Sequence, residues 1–111
     1  MSKIEVVNGV NNLFVSEEGS VRGYHVIDVR GPDEFVGDLG HIKGAKLVTL
    51  GPELHQFFET ASKDENYLFV CRSGGRSTQA SLMAKAKGFS QVTNMAGGML
   101  HWNELALKAD H

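Results

Sequence analysis

The chain has 111 residues, 41% of them apolar and 22% charged, a composition that fits one soluble globular domain. Its formal net charge of -2 argues against bulk electrostatic binding to nucleic acid or to an anionic membrane, so any anion site has to be local. The single cysteine, Cys71, excludes an intramolecular disulfide. Met1-Ser2-Lys3 is not followed by the apolar core of a secretory signal, and no stretch approaches the roughly 18 apolar residues of a membrane span. The expected compartment is therefore the cytoplasm, where thiols stay reduced.

In chain order, the N-terminal stretch suggests a strand near Ile4–Val7 and a weak helix around Val10–Val15. Residues 24–29 (Tyr-His-Val-Ile-Asp-Val) are β-branched and mostly apolar, as in a strand covered on both faces. Gly31-Pro32 breaks this strand, and Pro32 at a first helical turn starts a short helix through Glu34 and Phe35. A glycine-studded loop spans residues 37–44, and a second short strand is expected over 45–50. Residues 52–61 read as a helix with Leu54, Phe57 and Phe58 on one face. A third strand, 67–70, ends at Cys71. The next helix runs from Arg76 to Lys87, with Ala80, Met83 and Ala84 on its inner face and Gly88 as its C-terminal cap. Residues 90–94 suggest a further strand, and 100–108 a last helix with Trp102 and Leu105 toward the core. The alternation predicts an α/β domain, a parallel sheet with helices on both faces. Sites in such folds lie beyond the carboxyl ends of the strands, where Asp28 and Cys71 stand.

The segment Cys71-Arg72-Ser73-Gly74-Gly75-Arg76-Ser77 joins a strand to a helix. Two glycines let successive backbone N–H groups turn inward as an anion nest, and the helix N-terminus adds partial positive charge. Arg72 and Arg76 add full charges. A thiol in such a setting falls from about 8.5 into a range of roughly 3.5–7.5, which makes Cys71 a thiolate at neutral pH. Ser77 either donates to the sulfur or caps the helix start. The alternative is a glycine-rich turn around an inert thiol, an odd use of two arginines.

This loop resembles the active-site loop of the rhodanese family. Three further segments agree: Asp28-Val29-Arg30; Glu34-Phe35 followed by Gly40-His41-Ile42-Lys43-Gly44-Ala45; and Gly97-Gly98-Met99-Leu100-His101-Trp102. Together they cover residues 28–102 in the family's order. Lys43 departs from the family's usual proline, and the first two dozen residues match little. The resemblance implies a three-layer α/β/α domain with a parallel central sheet of about five strands, and no cofactor. It implies a thiosulfate sulfurtransferase cycle. Cys71 takes the outer sulfur of a small anionic donor such as thiosulfate, and the Cys71 persulfide passes it to cyanide, a thiol or a sulfur-accepting protein.

Under that resemblance Cys71 is the nucleophile, and Arg72, Ser73, Gly74, Gly75, Arg76 and Ser77 form the substrate-binding loop. Arg72 contacts the donor's sulfonate or points to solvent. Arg76 pairs with Asp28 or Glu34 and holds the loop. Asp28, Arg30, Glu34 and His41 support it, with His41 read as a hydrogen-bonded loop residue ahead of a general base. His25, His55, His101 and His111 are scattered without zinc-ligand spacing. Two rival readings stand beside this one. A persulfide carrier or regulatory module for a protein partner would share the loop. A cysteine-dependent phosphatase or arsenate reductase of a related fold has five residues between Cys and Arg, where this chain has four.

Overall fold

The computed structural model describes residues 2–111. Strands β1 (Lys3–Val7) and β2 (Val10–Phe14) form an antiparallel hairpin across Asn8 and Gly9, whose φ angles are 52° and 78°. Asn-Gly favours this tight turn because both central residues need positive φ. The helix expected around Val10–Val15 is thus a strand. Val10 and Leu13 are both buried, three positions apart on opposite faces of a covered strand, which imitates helical spacing.

Strands β3 (His25–Asp28), β4 (Lys46–Leu47), β5 (Asn66–Val70) and β6 (Gln91–Met95) complete the sheet in the order β1-β2-β6-β5-β3-β4. Every pairing except β1–β2 is parallel. The parallel sheet of about five strands is present, and β1 adds an antiparallel edge strand. The second strand, expected over 45–50, shrinks to two ladder residues. Beyond them the amides of Val48 and Leu50 still donate to the Asp28 and Val29 carbonyls, at 2.8 and 2.9 Å.

The period of two along β5 separates two cores. Tyr67, Phe69 and Cys71 face helices α2 (Pro52–Thr60) and α3 (Gly75–Ala86), while Leu68 and Val70 pack with Met99 and Trp102 of α4 (Gly98–Glu104). This gives the α/β/α layering. On α2, Leu54 and Phe58 stand four apart and are buried, each contributing about 1.5–3 kcal/mol of burial; Phe57 is half-buried at the margin. On α3 the buried face is Ser77, Ala80, Ser81 and Ala84, small side chains that let the helix lie close to the sheet, with Met83 at the core's edge. The helix ends at Gly88 and Phe89, whose amides donate to the Lys85 and Ala84 carbonyls. A short helix, α1 (Pro32–Phe35), opens with Pro32 in its first turn.

Helix α4 starts two residues before the expected position and stops four residues early, because Ala106 takes a φ of 56° and turns the chain. Trp102 is buried as expected, its Nε1 donating to the Lys108 carbonyl at 3.1 Å. Leu105 lies just past the helix end and is 38% exposed, so it does not face the core. The returning tail pairs with the 37–44 loop, His41 and Asp110 exchanging backbone hydrogen bonds at 2.8 Å. No described helix is long and apolar enough to cross a membrane.

Candidate active site

Cys71 follows the last residue of β5 and is 1% exposed. Its Sγ accepts the Gly74 N–H at 3.0 Å and lies 3.3 Å from Ser77 Oγ. Gly74 tips its amide inward with a φ of 111°, a conformation strained for any side chain, although a Cβ there would only touch the Gly97 nitrogen at an ordinary contact distance of 3.6 Å. Gly74 also occupies the N-cap of α3, so Ser77 does not cap the helix and its hydroxyl faces the sulfur. Burial pushes the Cys71 thiol up. Hydrogen bonds from the Ser77 hydroxyl and from the amides of Ser77, Gly74 and Ser73 outweigh this, so the thiol lies below its ordinary value.

The glycine pair at 97–98 supports the loop from beneath. A Cβ on Gly98 would come within 2.5 Å of the Cys71 carbonyl oxygen and 2.6 Å of the Arg72 carbonyl, so only glycine fits. The close approach lets Met99 and Leu100 donate to those two carbonyls at 2.9 and 3.0 Å. The start of α4 thereby fixes the first two residues of the cysteine loop.

Arg76 grips Glu34 with both terminal nitrogens, at 2.7 and 2.8 Å, and so ties α3 to α1. The Arg76 guanidinium holds the Glu34 carboxyl down to about 2, with partial burial opposing it and the Gly31 amide helping. Asp28 and Arg30 form a separate ion pair, both 1% exposed, at 2.7 and 2.9 Å. Arg30 also donates to the carbonyls of Gly40 and Glu34, joining the end of β3 to the glycine loop and to α1. His41 places Nδ1 2.7 Å from the Phe35 carbonyl and stacks on the Phe35 ring, a hydrogen-bonded loop residue. Arg72, Ser73 and Gly75 are exposed. The Arg72 side chain has no ion-pair partner among the described residues, and it borders a cleft of about 360 Å³ shared with Arg30, Asp33, Glu34 and Asp38. Lys43 is exposed.

Sequence reasoning missed Asn94 and Asn12. Asn94, on β6, meets Ser77 Oγ through its Oδ1, and its Nδ2 donates to Asn12 Oδ1 at 2.8 Å. The available signal was Thr93-Asn94, two polar residues inside a strand whose neighbours are buried.

Comparison with known proteins gives a consistent result. The Rhodanese-like domain family matches residues 15–105. A thiosulfate sulfurtransferase (GlpE) of Pseudomonas fluorescens is 36% identical over 102 residues, covering 92% of this chain and 87% of that protein. A putative sulfurtransferase (YtwF) of Bacillus subtilis is 40% identical over 78 residues, covering 70% and 72%. The senescence-associated protein DIN1 of Raphanus sativus is 33% identical over 107 residues; the match covers 86% of this chain and only 57% of the radish protein. Among solved structures, a rhodanese-related protein of Thermoplasma volcanium superposes with a TM-score of 0.71 at 23% identity, covering 86% of this chain and 95% of that one. A rhodanese-like domain protein of Staphylococcus aureus superposes with a TM-score of 0.63 at 30% identity, covering 71% and 74%. With the family match spanning most of the chain and the fold shared, this protein belongs to the rhodanese-like domain family.

Proposed function

We propose that the chain is a sulfurtransferase that carries sulfane sulfur on Cys71. The observation that carries this reading is the sulfur cradle: Cys71 Sγ accepts the Gly74 amide, faces the Ser77 hydroxyl and stands beside the N-terminus of a twelve-residue helix. The Cys71 thiolate attacks the outer sulfur of thiosulfate; the S–S bond of the donor breaks, sulfite leaves with the electron pair, and a Cys71 persulfide anion remains. Cyanide or a thiolate then attacks the outer sulfur, and the Cys71 thiolate returns as leaving group. Charge is conserved in each half, and the cradle that favours the thiolate also favours the persulfide anion. A persulfide donor enters the same cycle in place of thiosulfate.

Arg72, without an ion-pair partner and at the cleft beside the loop, is the residue we assign to the donor's sulfonate. Arg76 acts through Glu34 as a brace for the loop. That brace also disfavours phosphoester chemistry, since both terminal nitrogens of Arg76 are engaged by a carboxylate and the loop is one residue short for that purpose. The test is thiocyanate formation from thiosulfate and cyanide by wild type and Cys71→Ser, with an aryl phosphate assayed in parallel. Thiocyanate formed by wild type alone supports the reading. Turnover of the aryl phosphate that depends on Cys71, without thiocyanate, overturns it.

A further inference from the structure

A line of polar groups runs from the sulfur to the hairpin edge of the sheet. Ser77 Oγ lies 3.3 Å from Cys71 Sγ and closer to Asn94 Oδ1. Asn94 Nδ2 donates to Asn12 Oδ1 at 2.8 Å, and Asn12 Nδ2 donates to the Val10 carbonyl at 3.0 Å. Asn12 and Asn94 are direct partners in the parallel pairing of β2 with β6. Ser77 and Asn94 are buried, Asn12 half-buried.

The far end sets the direction of the whole line. A carbonyl only accepts, so Asn12 turns its NH₂ to Val10 and leaves its oxygen toward Asn94. Asn94 must answer with its own NH₂, which leaves its oxygen toward Ser77. Ser77 must answer with the one proton it has. That proton is also the one Cys71 Sγ competes for, and the Gly74 carbonyl, 3.2 Å away, is a third acceptor. One proton cannot serve all three.

We propose, resting on Cys71 as the reactive group, that Asn94 is a positioning residue: it holds the Ser77 hydroxyl proton off the sulfur while Cys71 is neutral and yields it when negative charge forms there. Asn12 keeps the Asn94 amide in the orientation that does this. The loop amides stabilise charge on the sulfur in either case, whereas the hydroxyl does so only after the Ser77–Asn94 bond breaks. Removing the Asn94 amide removes the nearest competitor and leaves the Ser77 proton to the sulfur and the Gly74 carbonyl, of which only the sulfur gains negative charge. The charged group that couples to Cys71 stays in place: Arg76 from α3, bound to Glu34 of α1; Asp28 at the end of β3, bound to Arg30, couples to Arg76. Arg72 is exposed on the loop, and β6 and α4 meet it with the uncharged Asn94, Gly98 and Met99.

The test is the pH dependence of Cys71 alkylation by iodoacetamide in the folded protein, for wild type, Asn94→Leu, Asn12→Ala, Ser77→Ala and the double variant Ser77→Ala/Asn94→Leu. Asn94→Leu is expected to lower the midpoint by about half a pH unit or more. Asn12→Ala shifts it the same way by less, Ser77→Ala raises it, and the double variant titrates like Ser77→Ala alone. A folded Asn94→Leu with an unchanged or higher midpoint overturns the proposal, as does a shift that persists without the Ser77 hydroxyl. Should Asn94→Leu fail to fold, Asn12→Ala, at a half-buried position, carries the same test, and an unchanged or raised midpoint is decisive against. Sulfur loading of wild type from thiosulfate and from a protein persulfide is measured alongside. If both donors fail to load it while the midpoints move as stated, the sulfur-transfer reading falls and the role of Asn94 stands.

Discussion

Arg76 and Glu34, 42 positions apart in sequence, meet in a two-point contact that braces the cysteine loop against α1. Both side chains are about a third exposed, so solvent screening limits the worth of the pair to about 1 kcal/mol or less. Glu34→Gln is expected to lower unfolding free energy by that order in a denaturant titration. It should lower the rate of thiocyanate formation more than it lowers stability, because it loosens the cradle.

The same pair sets a pH dependence. Glu34 is held at about 2 against an ordinary value of 4.5. A depressed carboxyl stabilises the folded state above its unfolded value and loses that contribution as pH falls toward its folded one. The stability gap between wild type and Glu34→Gln is thus expected to be full at neutral pH and to close as pH falls from 4.5 toward 2, read from denaturant midpoints at several pH values.

Asp28→Asn should be far more damaging. Arg30 is 1% exposed, and removing the opposing charge leaves a buried guanidinium with neutral acceptors only, an amide oxygen at position 28 and the Gly40 and Glu34 carbonyls. Breaking a buried pair by deleting one charge costs about 3–5 kcal/mol, which thermal unfolding would show as a large fall in Tm.

Gly98→Ala combines a positive φ of 57° with a Cβ 2.5 Å from the Cys71 carbonyl. Gly44→Ala has a positive φ of 84° and open space. The expected losses are about 1 kcal/mol for Gly44→Ala and well above that for Gly98→Ala. Only the second should depress sulfur transfer, because only it displaces the loop.

The sheet's centre was legible because β3 and β5 are covered on both faces and read as continuous apolar runs ending at Asp28 and Cys71. The cysteine loop was legible because Gly74 and Ser77 act on the sulfur from three and six residues away. The second strand of the hairpin was less legible, although Asn8-Gly9 favours its turn, because Val10 and Leu13 are buried three residues apart, a spacing that a helix shares. The choice between Asp28 and Glu34 as partner for Arg76 was beyond local pattern. It depends on Arg30, which takes Asp28 first and leaves Glu34 free. The end of α4 was equally non-local, fixed by a tail that turns back to pair Asp110 with His41.

Sulfur carried on Cys71 would show in the intact mass of the protein after incubation with thiosulfate. Wild type is expected to gain the mass of one sulfur and lose it on adding cyanide, with an equal amount of thiocyanate formed, while Cys71→Ser gains nothing. A wild-type protein that stays unmodified with thiosulfate and with a protein persulfide, or a Cys71→Ser variant that still takes up sulfur, would contradict it.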